Sequence, residues 1–283
     1  ELEVGDRIER RNTASVQFPD IGLGPLFRLG VDGVDVRDNS RDFGLTKDAG
    51  IVTVLFRPSL QLSAQVGGSV ELNTAEIFGK EQKGALEQYV QDNPGRANTF
   101  RVPEGTTVAF AQRVGASWDR RDNPLGATRG TLVSASIEHV RAVPVGEDAE
   151  QDPGDTVFAA TTSEFLRFSN QLGAYLRLSE GGLALAASFR WGFNHQLITG
   201  SRTYPDRLFF LGGVDSIRGF LQDSVVPEDI AEQLLDPASG LTLNEVVIRG
   251  GDVFINPRLE LRPAPLPEEL SLAFGREASY LKI

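Results

Sequence analysis

"LQLSAQVGGSVELN", residues 60–73, alternates apolar and polar side chains along most of its length. The apolar side chains fall on even positions: Leu60, Leu62, Ala64, Val66, Val70 and Leu72. The polar side chains fall on odd positions: Gln61, Ser63, Gln65, Ser69, Glu71 and Asn73. Because successive side chains of a strand point to opposite faces of its sheet, this period of two predicts a β-strand with one apolar and one polar face.

The same alternation recurs in four further stretches, and helical periodicity is nearly absent. These stretches are residues 106–119, 164–178, 182–194 and 251–262. The predicted strands are about 9 to 15 residues long, which exceeds the ~5–6 residues typical of a globular sheet. A tilted strand crosses a bilayer with ~9–11 residues. The sequence therefore predicts an all-β chain with strands long enough to span a membrane.

Short and long connections alternate between the predicted strands. Short turns follow strands that end near residues 19, 57, 119, 178 and 262. Long polar stretches follow the others, at about residues 37–48, 74–105, 143–162 and 198–245. This asymmetry predicts an up-and-down sheet with one tight rim and one elaborate rim, which is typical of outer-membrane barrels.

We therefore predict an antiparallel transmembrane β-barrel. A closed barrel pairs its backbone N–H and C=O groups within lipid, which an open sheet cannot do. A soluble β-sandwich also alternates, and the pattern alone leaves it open as the less favoured alternative. Its strands are usually shorter, and its connections need not alternate in length.

Composition excludes several functional classes. The 283 residues carry a net charge of −11, no cysteine and two histidines. The acidic balance argues against nucleic acid as a partner, and the lack of cysteine excludes disulfides and thiolate chemistry. His139 and His195 fall on separate strands without metal-ligand spacing. We found no Ser/His/acid spacing, so we expect no enzyme activity, no cofactor and no metal.

"RLFFLGGVDSIRGF", residues 207–220, places two glycines, an acid and a lone arginine among large apolar side chains. The stretch resembles the F-x-x-G-G-x-x-S-[VI]-R-G-[FY] motif of the BamA/TamA superfamily of outer-membrane assembly and translocation barrels, the bacterial surface antigen family. The matching residues are Phe210, Gly212, Gly213, Ser216, Ile217, Arg218, Gly219 and Phe220.

Further segments resemble the same family in the expected order. Residues 117–139 resemble its strand–turn–strand segment D-x-R-D-N-P, followed by a glycine, through Asp119, Arg121, Asp122, Asn123, Pro124 and Gly130. Residues 256–267 resemble the strand after its long loop, through Glu260, Leu261 and Arg262. Residues 15–33 resemble an early hairpin, so the resemblance covers most of the chain.

The resemblance implies that the long loop, residues 198–245, folds back into the barrel and that Arg218 reaches acids on the inner wall. The alternation of residues 252–262 independently places Glu260 on the polar face. A guanidinium inside a protein needs a paired acceptor, and its planar fork suits a carboxylate. We therefore predict an Arg218–Glu260 pair. We also expect Phe209, Phe210 and Phe220 to pack the loop against its surroundings.

The sequence departs from the family pattern in its length. The resemblance implies sixteen strands, whereas about ten are visible by their alternation. Neither the preceding POTRA domains nor the F-x-D-x-G strand that supplies a further inner-wall acid is recognisable. We interpret residues 1–283 as one incomplete outer-membrane barrel domain without POTRA domains.

The resemblance implies that the protein inserts β-barrel proteins into the bacterial outer membrane or moves polypeptides across it, by opening a weak seam rather than by catalysis. Implied partners are outer-membrane lipid, unfolded outer-membrane or secreted clients, and periplasmic or lipoprotein accessory subunits. Alternatives within the family are a two-partner-secretion transporter and the barrel anchor of a surface protein. A passive porin is the alternative from a different class.

Overall fold

The described residues form one antiparallel sheet whose strand order follows the chain. A computed structural model describes residues 9–39, 43–77, 80–96, 103–149, 158–180, 183–214, 216–242 and 250–262. Within them, each strand pairs with its neighbours in sequence, and β1 and β9 form the two edges. The strands are Arg10–Phe18 (β1), Phe27–Asn39 (β2), Phe43–Phe56 (β3), Leu62–Ile77 (β4), Gly105–Asp119 (β5), Gly130–Pro144 (β6), Ser163–Arg177 (β7), Ala184–Gln196 (β8) and Val253–Arg262 (β9).

The predicted up-and-down all-β topology is thus confirmed, with strands of 9 to 16 residues. One rim carries the shorter connections: residues 19–26, 57–61, 120–129 and 178–183. The other carries the longer ones, residues 78–104, 145–162 and 197–252, together with the three-residue β2–β3 connection, residues 40–42. We call these the short-turn rim and the long-loop rim.

One predicted connection is wrong. Residues 37–48 were expected to form a long loop, but β2 continues to Asn39 and β3 begins at Phe43. The outer face of this stretch is polar, with Arg37, Thr46 and Asp48, whereas its inner face carries the buried Phe43, so the usual alternation is lost. On the inner face, the Lys47 ammonium lies 2.5 Å from a Glu71 carboxylate oxygen, so a charge that indicated a loop belongs to a strand.

The sheet has its apolar side chains on the outside. Large exposed hydrophobic side chains occupy one face of the strands, among them Val66, Val70, Phe110, Val114, Trp118, Leu172, Leu176, Ile255 and Leu259. The opposite, concave face buries polar groups, and Glu71 is 3% exposed. A soluble protein rarely exposes so continuous an apolar surface. This distribution is that of a lipid-facing exterior and a polar interior, and it argues against the soluble β-sandwich.

A small hydrophobic core covers the long-loop rim. Two helices, Lys80–Asp92 (α1) and Glu228–Leu235 (α2), lie in connections at this rim. Their buried side chains join residues from β3, β4 and the β6–β7 connection: Phe43, Ile77, Leu86, Phe158 and Ile230. Partly buried Phe210 and Val226 of the β8–β9 connection pack against this cluster. In the described part of the chain, neither helix is long and apolar enough to cross a membrane.

Candidate functional site

The β8–β9 connection is anchored to the inner wall by a buried arginine. Arg207 lies in a short 3-10 turn, Pro205–Arg207, and its side chain is 8% exposed. Its Nη2 donates hydrogen bonds of 2.8 and 2.9 Å to the two carboxylate oxygens of Glu71 on β4. Its Nε lies 3.3 Å from Oε2 of Glu138 on β6, and its Nη1 pairs with Asp206. One guanidinium therefore links the β8–β9 connection to two strands of the inner wall, β4 and β6.

Three further cations complete this network. Lys47 approaches Asp206 at 3.5 Å in addition to its contact with Glu71. Arg113 donates a 3.1 Å hydrogen bond to Glu138, and Arg167 lies 3.9 Å from the same carboxylate. We call the set the Arg207 cluster: Lys47, Glu71, Arg113, Glu138, Arg167, Asp206 and Arg207. Four cations thus share three carboxylates.

Strand register brings these residues together. Arg113 is the direct cross-strand partner of Glu138 in the β5–β6 pair, so the two side chains share the inner face. Glu138 is likewise opposite Arg167 in the β6–β7 pair. Side chains at such directly opposed positions lie close enough to pair. The wall therefore presents a prearranged row of charges to the incoming Arg207.

Backbone and aromatic contacts fix the same part of the connection. The carbonyl oxygen of Arg207 accepts hydrogen bonds from Arg167 Nε at 3.1 Å and from Asn194 Nδ2 at 3.3 Å. Phe209 and Gly251 exchange two backbone hydrogen bonds, each of 2.9 Å. The Phe209 ring lies 4.7 Å from the Phe254 ring and 4.6 Å from the Arg167 guanidinium. Residues 207–209 therefore form a fixed base for the residues that follow.

The motif residues form a compact tip beyond this base. Gly212 has a φ of 120°, and a Cβ built on it would lie 2.3 Å from the carbonyl oxygen of Leu221. The Ser216 hydroxyl accepts from the Gly212 N–H and donates to the Gly212 carbonyl, both at 2.7 Å. Only glycine fits this position without strain, because a side chain would meet the returning backbone.

Arg218 lies beside Glu260, but loosely. Its Nη2 is 3.8 Å from Oε1 of Glu260, and its side chain is 38% exposed. Glu260 is also contacted by Arg258 at 3.6 Å and accepts a 2.9 Å hydrogen bond from Arg262. The structure therefore brings the two sequence-predicted partners together at a carboxylate that three arginines share.

Of the three phenylalanines expected to pack, Phe220 does not. Phe209 packs on Phe254, and the Phe210 ring lies 5.9 Å from that of Phe43. Phe220 remains 56% exposed. The difference follows from position, because Phe209 and Phe210 lie at the anchored base and Phe220 lies in the tip, next to Gly219 with its positive φ of 121°.

The second predicted motif forms a turn at the short-turn rim. Arg121 binds the carboxylate of Asp119 with two hydrogen bonds, of 2.9 and 2.7 Å. Asp122 accepts backbone N–H groups of Asn123, Thr128 and Arg129. The Thr128 hydroxyl and these N–H groups hold the pKa of Asp122 well below its usual range.

The rest of this motif also lies within the turn. Asn123 accepts the N–H of Leu125, and the Pro124 carbonyl accepts a hydrogen bond from Arg121. Gly130 has a φ of 107°, and a Cβ there would lie 2.0 Å from the carbonyl oxygen of Arg120. The motif residues thus close the β5–β6 turn.

Comparison with known proteins identifies the family. Residues 12–271 match the model of the Omp85 superfamily domain. The chain belongs to the Omp85 superfamily. A search of curated proteins finds no match. Among solved structures, the Omp85 chain is similar to BamA from Haemophilus ducreyi in a crystal structure lacking POTRA domains 1–3, at 16% sequence identity and a TM-score of 0.61.

That match covers 91% of this Omp85 chain and 45% of the BamA chain. The chain therefore spans less than half of the solved structure that it resembles. At this identity the likeness concerns the fold. It agrees with the predicted transmembrane barrel architecture, of which the described residues form nine consecutive strands.

Sequence reasoning missed the Arg207 cluster in this Omp85 domain. Arg207 is the first residue of the stretch that drew attention, but it precedes the recognised motif. Glu71 was on a predicted polar face, Glu138 lay outside the predicted alternating stretches, and nothing local distinguished either from other polar residues. A usable signal is the placement of isolated carboxylates in the middle of strands whose inner faces otherwise carry serine and glutamine.

Proposed function

We propose that this Omp85 domain belongs to a bacterial outer-membrane barrel that inserts or translocates polypeptides without catalysing a reaction. The observation that carries the proposal is the β8–β9 connection held inside the sheet by Arg207, with the motif tip beside Glu260. A buried ion-pair network of this kind opposes displacement of the loop, because withdrawing Arg207 leaves buried carboxylates uncompensated.

A passive porin is less consistent with this arrangement. A porin needs a continuous aqueous passage. Here the base of the β8–β9 connection lies on the concave side of the sheet, and α1 and α2 pack over the long-loop rim. A steady ion current would have to pass the base of this connection and the two helices.

The proposed mechanism uses strand pairing. When a seam of the full-length barrel opens, its unpaired N–H and C=O groups offer a template to a client strand, as in other β-augmentation. Lipid, unfolded outer-membrane or secreted clients and accessory subunits are the proposed partners. Two alternatives remain. A two-partner-secretion transporter would handle one dedicated secreted protein, and a barrel anchor would hold one surface protein in the membrane.

The test is reconstitution of the full-length protein in liposomes of outer-membrane lipid. Urea-unfolded outer-membrane barrel proteins are added, and their folding is followed by heat-modifiable migration and protease protection. We expect faster client folding than in protein-free liposomes. Steady conductance in planar bilayers without client acceleration would instead identify a porin. Acceleration restricted to one secreted partner would identify a dedicated transporter.

A further inference from the structure

A polar chamber lies on the concave side of the sheet below the anchored base of the β8–β9 connection. Its volume is about 350 Å³, within the size range of small ligand sites. Phe209 and Phe254 border it, and it extends along the halves of the strands that lead to the short-turn rim. Five serines contribute to its lining: Ser63, Ser117, Ser134, Ser136 and Ser169. We call it the serine chamber.

The lining is suited to an extended peptide backbone. Ser134 is the cross-strand partner of Ser117 on β5 and of Gln171 on β7, so hydroxyl and amide groups follow one another across the strands. A hydroxyl donates and accepts hydrogen bonds, and a side-chain amide does both at separate atoms. Such groups pair with backbone N–H and C=O without selecting a particular side chain.

The chamber is cationic although the chain is acidic. Arg167 and Arg190 line it, and its lining among the described residues contains no Asp or Glu. Arg167 also belongs to the Arg207 cluster, in which four cations share three carboxylates. Because low-dielectric walls focus the field of their charges, this excess attracts anions in a chain whose net charge is −11.

We propose that the serine chamber binds a carboxylate-bearing segment of an extended polypeptide. The guanidinium of Arg190, assisted by Arg167, receives the carboxylate, because a planar fork matches its two oxygens. The serine hydroxyls bind the backbone on either side. This assignment rests on the proposed function for the identity of the occupant, whereas the anion preference of the chamber stands by itself.

The test uses a thiol as a local probe: the 283 residues contain no cysteine, and any cysteine elsewhere in the full-length protein is replaced by serine. S134C places the thiol in the chamber, and L125C places a control thiol on a fully exposed turn residue. The full-length protein in detergent is treated with methanethiosulfonate reagents that carry either a sulfonate or a trimethylammonium group. We expect the sulfonate-to-ammonium rate ratio to be roughly tenfold higher at S134C than at L125C.

Arginine variants then locate the charge responsible. R190Q in the S134C background is expected to lower that ratio several-fold, and R190K to preserve most of it. R141Q is the matched control, because Arg141 is an exposed arginine on β6 outside the chamber lining. Equal ratios at S134C and L125C, an unreactive S134C, or equal effects of R190Q and R141Q would each overturn the anion site.

A peptide arm tests the occupant. Extended peptides with a terminal thiol-reactive group carry either aspartates or asparagines at matched positions. We expect the aspartate peptide to label S134C about ten times faster than the asparagine peptide. If both peptides label S134C at the same rate while client folding is still accelerated, the chamber assignment is rejected and the proposed function is kept. Aspartate-selective labelling without any client folding would reject the proposed function and keep the site.

Discussion

At the scale of single residues, two arginines of one connection differ in what they can contribute. Arg207 is buried and reaches two strands, whereas Arg218 is partly exposed and shares Glu260 with two other arginines. A sequence motif can identify Arg218, because the residues next to it in the chain, from 210 to 220, match the family motif. Arg207 escapes such recognition because its partners on the wall, Glu71 and Glu138, lie far away in the chain and are chosen by strand register.

We expect R207A to destabilise the domain by about 3–5 kcal/mol, because Glu71 and Glu138 keep their burial and lose their shared cation. R218A should cost less but a measurable amount, about 0.2–1 kcal/mol, the range of exposed pairs. The measurement is the temperature at which the compact electrophoretic form of the membrane-extracted protein is lost. An R207A protein as heat-stable as the wild type would contradict the anchoring role. An R218A protein that matches the wild type in folding and heat stability would contradict the predicted role of the Arg218–Glu260 pair.

At the scale of elements, period-two alternation predicted most strands, because each presents one face to an apolar and one to a polar environment. It failed for residues 37–48, where the outer face near the long-loop rim becomes polar and the signal of the strand disappears. The hydrophobic cluster between α1 and α2 was also unpredictable, since it depends on connections that meet only in three dimensions.

The turn between β5 and β6 should be stabilised in a pH-dependent way. Asp122 has a depressed pKa in the folded protein, so its stabilisation is fully present above its unfolded value of ~3.9 and is lost as pH falls below it. We expect D122N to lower the midpoint of urea unfolding at pH 7, with the difference from the wild type shrinking at pH 3. A difference that is the same at both pH values would show that ionisation of Asp122 is irrelevant.

At the scale of the whole molecule, the distribution of exposed side chains carries the membrane assignment. The concave face holds the charges and the convex face holds the large apolar side chains. The sequence predicted this from alternation alone but could not say which face is concave, because curvature arises from the assembled sheet.

The apolar exterior should show depth dependence within one strand. Val114, in the middle of β5, is 60% exposed, and Thr106 lies near the end of β5 at the long-loop rim, on the same face. We expect V114R to cost about 2–4 kcal/mol and T106R about 0–1 kcal/mol when the protein folds in lipid. Urea titrations in liposomes measure both. Equal costs would mean that β5 does not traverse the hydrocarbon layer.

The Glu71–Arg207 contact joins residues 136 positions apart. Contacts that close long stretches of chain form late, because loop-closure entropy opposes them until the intervening structure exists. During biogenesis, β4 to β8 would therefore pair first around a hydrated interior in which Glu71 and Glu138 still face water. Docking of Arg207 would then displace the water around these two carboxylates, so that their dehydration reports the completion of folding.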